Sequence, residues 1–207
     1  MEEDDFEFEF SEDPKQSVER FEEMVRNKDQ YFFDAHAFEN IIDYYIEKND
    51  PVKALQVVDY AMAQHPFAVI FLLKQAQLYL FTNDLAKSFE ALEKAELLEA
   101  SEPDIYLLRG NIYENLERHD DALENLFKAL ELTDTEDDIL MQIAYVYQNM
   151  GDYEESITYL KRCLQNNMEN QEALYELAFC YDVLDKQEES IQFYLQYIDN
   201  DPYSFAA

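Results

Sequence analysis

The residues of this chain whose types could do chemistry are three histidines, His36, His65 and His119, two cysteines, Cys163 and Cys180, and 47 aspartates and glutamates among 207 residues. A histidine beside a carboxylate suits general acid–base work, and a thiolate suits nucleophilic attack or metal ligation. Either chemistry needs groups that converge on one point with shifted pKa values. The histidines fall at unrelated positions, and the cysteines lack a metal-ligand spacing and sit inside helical patterns, where they read as small core residues. No glycine loop able to cradle phosphate occurs. Neighbouring carboxylates in so acidic a chain read as solvated helix surface. The expectation is that this is not an enzyme and uses no cofactor or metal.

What is left is recognition, and the charge narrows it. Fifteen basic residues stand against 47 acidic ones, a formal charge of -32, which phosphate backbones and anionic lipid surfaces repel. Nucleic acid and membrane are therefore poor partners. The acidity favours basic ones, or serves solubility alone. The N-terminus opens with Glu2, Glu3, Asp4 and Asp5 rather than a basic leader, and no apolar run approaches a membrane span of about 18 residues. Two cysteines without a disulfide pattern suit a reducing compartment, so the expected location is the cytoplasm.

The elements that position these residues are helical. Apolar residues make up 48% of the chain, enough for a continuous core, while two glycines and five prolines are too few for a protein of many tight turns. Residues 1–13 read as an acidic disordered tail in which Phe6, Phe8 and Phe10 alternate with Glu7 and Glu9; a short docking motif or an added edge strand is the sharper reading. Pro14 with Val18, Phe21 and Val25 predicts a helix to about Asn27, followed by a linker to residue 34. Beyond it a tyrosine recurs every 34 residues, at Tyr45, Tyr79, Tyr113, Tyr147 and Tyr181. A column of mostly small residues keeps the same phase at Ile42, Ala76, Gly110, Ala144 and Ala178, and another at Ala54, Ser88, Ala122, Ser156 and Ser190. Small side chains at fixed intervals are what closely packed helices require.

Each 34-residue unit resembles a tetratricopeptide repeat, with units starting near Ala35, Val69, Pro103, Asp137 and Gln171 and together spanning 35–204. Gly110 and Gly151 fall on the family's glycine positions, and Pro66 and Pro202 on its proline position. Phe38, Leu72, Tyr106, Leu140 and Leu174 replace its tryptophan, and Ile42 is large for a small-residue site. The resemblance implies an all-α, right-handed superhelical solenoid of helix-turn-helix units, each with a helix A and a helix B. Asn49, Asn83 and Gly151 suit left-handed turns between them, and Asp50-Pro51 starts a helix B. Glu117 at the same place predicts a turn built differently.

In the family the A helices line a concave groove. Carried over residue by residue, the groove implied here contains Ile70, Leu73, Gln77 and Phe81 in the second unit, Leu107, Asn111 and Asn115 in the third, Met141, Tyr145 and Gln148 in the fourth, and Tyr175 and Phe179 in the fifth. Leu80 and Val183 fit the groove and the core between A helices equally. No groove position is Lys or Arg, and Glu39, Asp43 and Glu47 would repel the acidic chaperone tails that some family members clamp. The expected function is a protein-interaction scaffold taking a neutral or basic peptide with apolar anchors. The alternatives are a self-assembling structural module and the non-catalytic regulatory arm of a longer protein. Residues 205–207 would begin a sixth unit, and the last helix B exposes Ile191, Tyr194, Leu195 and Ile198, so a longer repeat protein or a homo-oligomer is expected.

Overall fold

The computed structural model describes residues 14–200, and among them every element is a helix. The expected acidic tail and the start of a sixth unit lie outside the described residues. The chain divides into two compact units, Met1–Leu98 and Glu99–Ala207.

The first unit contains α1 (Pro14–Asn27), α2 (Ala35–Glu47), α3 (Pro51–Gln64), α4 (Val69–Phe81) and α5 (Leu85–Leu98), each packed on the next. Three helix starts are capped by aspartates: Asp34 Oδ1 accepts from the Ala37 amide at 2.7 Å, Asp50 Oδ1 from that of Lys53 at 3.1 Å, with Pro51 at the first helical position, and Asp84 Oδ1 from that of Lys87 at 3.3 Å. Apolar residues three and four apart then give each helix a buried face. That of α3 is Ala54, Val57, Val58 and Ala61, and that of α2 includes Phe38, Ile41, Ile42 and Tyr45. Ile42 is fully buried, so the large residue is accommodated. The linker before α2 is tied down by the end of α3. The Gln64 amide donates to the Tyr31 carbonyl at 2.9 Å and accepts from the Phe33 amide at 3.0 Å, and His65 Nε2 lies 2.8 Å from the Phe33 carbonyl.

The second unit contains α6 (Pro103–Asn115), α7 (His119–Leu132), α8 (Asp137–Met150), α9 (Tyr153–Asn166), α10 (Gln171–Val183) and α11 (Gln187–Asn200). Neighbours again pack in chain order. Leu140, Ala144, Ile157, Leu160, Ala173, Leu177 and the two cysteines build its core. The turn at Glu117 departs from expectation. Glu117 takes φ 57°, the same left-handed conformation as Asn49 (54°), Asn83 (59°) and Asp185 (56°). Its amide donates to the Glu114 carbonyl at 2.9 Å and the Arg118 amide to that of Tyr113 at 2.9 Å. Such bonds, worth about 1 kcal/mol each, offset the roughly 1–2 kcal/mol of a left-handed side-chain-bearing residue.

Gly110 shows why its column is small. A Cβ there would stand 2.8 Å from Cγ and Cδ2 of Leu126 on α7. Gly110→Leu is therefore expected to destabilise the protein by about 1–3 kcal/mol through overpacking, despite the better helix propensity of leucine. A lowered urea midpoint at unchanged slope would record this; an unchanged midpoint would show that α6 and α7 can part freely.

Candidate functional site

The A helices of the first unit are α2 and α4, and those of the second are α6, α8 and α10. In the second unit their facing side chains bond to one another. The Tyr145 hydroxyl on α8 donates to Glu172 Oε1 on α10 at 2.6 Å, and Gln148 Nε2 donates to Glu176 Oε2 at 3.1 Å. Asn149 Nδ2 on α8 donates to Glu114 Oε1 on α6 at 2.6 Å, while the other oxygen of Glu114 lies 2.9 Å from His119 Nδ1. Tyr145, Gln148 and Asn149 thus have carboxylate partners on a neighbouring A helix, and those carboxylates give the face its sign. Burial pushes the Glu176 carboxyl up, the charge of Glu172 adds to this, and the Gln148 amide opposes it. Burial also raises the Tyr145 hydroxyl, with its bond to Glu172 second, so it stays a protonated donor.

Beside these carboxylates α10 presents two exposed aromatics, Tyr175 and Phe179, 45% and 37% accessible. Tyr175 meets Tyr194 and Tyr197 of α11 at 6.0 and 5.7 Å between ring centres, and Phe179 meets Tyr153 of α9 edge-on at 6.3 Å. Helical spacing of three and four puts Glu172, Tyr175, Glu176, Phe179 and Asp182 along one side of α10. The arrangement offers ring faces with negative charge between them, suited to apolar anchors and cationic groups.

In the first unit, Gln77 and Phe81 of α4 meet Ile46 of α2 across a cleft of about 200 Å³ that Asn49, Pro51 and Leu78 also line. Phe81 is 67% exposed. Ile70 is half-buried against that unit's core, and Lys74 Nζ on α4 bonds Asp43 Oδ1 on α2 at 2.6 Å. On α6, Leu107 and Asn111 are half-buried and Asn115 is exposed, its amide donating to the Asn111 carbonyl at 2.9 Å. Two expected groove residues are not presented at all. Leu73 and Met141 are 6% and 5% exposed, and Met141 belongs to the core of the second unit, because a large apolar side chain gains more from burial than from contact with water. Glu114 and Glu172, at family groove positions, are prominent partners here, and so is Glu176, which the family positions do not include. The only hint of Glu176 was its place beside Tyr175 on a helix whose tyrosine faces outward. On α11, Ile191, Leu195 and Ile198 are exposed and Tyr194 is half-buried.

The groups singled out for chemistry differ in their surroundings. His36 is exposed, His65 holds the linker, and His119 is beside Glu114. Cys163 and Cys180 are buried, and no cluster able to hold a metal occurs among the described residues. No described helix is long and apolar enough to cross a membrane.

Tetratricopeptide-repeat family models match residues 73–137, 137–168 and 172–204. No curated protein sequence matches. Among solved structures, that of MamA is similar with a TM-score of 0.67 at 18% identity, over 86% of this chain and 100% of that one. PilF of Pseudomonas aeruginosa gives 0.71 at 14% identity, over 80% and 75%. YrrB, described as a TPR protein with an unusual peptide-binding site, gives 0.58 at 19% identity, over 93% and 94%. At these identities the likeness shows the helical-repeat fold alone.

Proposed function

Because the chain belongs to the tetratricopeptide-repeat family, we propose that it is a non-catalytic protein-interaction scaffold whose α10 face takes a peptide segment with basic residues and apolar anchors. The observation that carries this reading is the exposure of Tyr175 and Phe179 between Glu172, Glu176 and Asp182. Aromatic anchors supply most of the affinity in such interfaces, and fixed carboxylates choose the sign of the partner. The peptide site of YrrB lends support by analogy of fold. Self-association is the weaker reading, since copies of a chain carrying -32 repel one another at ordinary ionic strength.

An array of peptides, matched in apolar anchors and differing in charge, tests the proposal by fluorescence anisotropy. Basic members are expected to bind and acidic ones not. Replacing Tyr175 and Phe179 together by alanine is expected to weaken the best peptide about 30-fold or more, at about 2 kcal/mol for a central anchor. An unchanged thermal midpoint would separate this from damage to the packing against α11. Equal binding of acidic and basic peptides, or indifference to the double substitution, would refute it.

A further inference from the structure

The first unit carries a second recessed surface, away from its A-helix cleft and independent of the reading above. Between α1, α2 and α3 lies a cleft of about 270 Å³ with Phe21, Tyr45 and Tyr60 as aromatic lining and Arg26 and Lys53 as cations. It is smaller than the pockets that enclose drug-sized ligands, and suits one aromatic side chain with charged groups around it. Of its cations, Lys53 is held less closely by carboxylate than three other lysines of the unit. Lys74, Lys87 and Lys94 of the same unit are held by carboxylates at 2.6, 2.7 and 2.8 Å. Lys53 reaches only 3.9 Å from Asp50 and lies 5.1 Å over the Tyr45 ring. The carboxylate in the cleft, Glu22, already accepts the Tyr45 hydroxyl at 3.0 Å.

We propose that this cleft is the docking site of the chain's own N-terminal segment, residues 1–13, which places a phenylalanine on the aromatic lining and carboxylates on Arg26 and Lys53. The segment lies outside the described residues, so its composition and reach make the case. It holds eight acidic residues, no basic one, and Phe6, Phe8 and Phe10 alternating with glutamates, the complement of an aromatic cleft edged by cations. It precedes α1 directly. Arg26 stands 12 residues into the numbering after Pro14, about 18 Å along the helix. Phe8 is six residues before Pro14, an extended reach of about 20 Å. A foreign acidic peptide would have to overcome the repulsion of the whole chain. A tethered segment does so through its high effective concentration.

The test uses the full chain with Glu9→Cys carrying a nitroxide; Cys163 and Cys180 are buried and leave the new thiol as the one labelled. In dilute, low-salt solution the backbone NMR signals of Arg26, Lys53 and Tyr60 are expected to vanish while those of α10 persist. Salt at about 1 M, where charges are screened within about 3 Å, and the pair Arg26→Glu and Lys53→Glu are each expected to restore them. If that pair disturbs folding, Phe6→Ser, Phe8→Ser and Phe10→Ser, which change no described residue, are expected to restore the signals too. Persistence of the cleft signals in the parent, or loss that neither set of substitutions reverses, would overturn the proposal. So would loss that grows with protein concentration, which would assign the cleft to the segment of a second copy.

Discussion

Replacing Phe38 by alanine is expected to lower stability by about 3–5 kcal/mol, the cost of emptying a large aromatic site in a closed core. Phe38 is fully buried and sits among three rings, with Phe33 at 5.3 Å, His65 at 6.0 Å and Phe71 at 6.1 Å between centres. Those neighbours come from the linker, the end of α3 and the start of α4. A cavity at this point loosens three segments at once, including the linker that Gln64 and His65 hold by its backbone. Collapse into the space is opposed by the hydrogen bonds that fix Phe33 on one side and His65 on the other. A urea titration followed by circular dichroism would read the loss. A cost below about 1 kcal/mol, typical of a surface change, would mean that the aromatic cluster does not organise the unit.

The second large effect is kinetic. Alkylation of Cys163 in the native protein at pH 8 is expected to be slower than in urea by two orders of magnitude or more. Burial pushes this thiol up to about 11, and the nearby charges of Asp137, Asp138 and Glu172 add to the shift while the Asn170 amide opposes it. Since the thiolate is the nucleophile, about one molecule in a thousand is reactive at pH 8, against roughly a quarter for an ordinary cysteine. Closure of the core adds to this. The sign for stability follows: the folded state holds the proton more tightly than the unfolded one, so the contribution is complete below about pH 8.5 and is lost as pH rises toward 11. Mass spectrometry of timed iodoacetamide reactions would measure the rate. Native and unfolded rates within threefold of each other would contradict both the burial and the raised pKa.

The helical class and the repeat family were legible because they rest on local and periodic signals. The tyrosines at 34-residue intervals, the small residues beside them and caps such as Asp50-Pro51 act within one hairpin or between consecutive helices, where the sequence spacing is itself the geometry. Glu117 was misread because residue type alone suggested that a glutamate avoids the left-handed region; two backbone hydrogen bonds from the turn outweigh that preference.

The candidate site was legible only as a set of positions. Numbering within the repeat placed Tyr175, Phe179, Gln77 and Phe81 on A helices, and these side chains are exposed, but the same rule nominated Leu73 and Met141, which the core takes in. Nor could it foresee that Tyr145 and Gln148 bond Glu172 and Glu176 at 2.6 and 3.1 Å, leaving carboxylates to define the face. Sequence by itself determined the helices, their order and their buried stripes, since each follows from side chains a few residues apart. Only tertiary structure decided which polar groups meet and which apolar ones are hidden, because those outcomes depend on the approach of helices about thirty residues apart and on the difference of energy between packing and water at each contact.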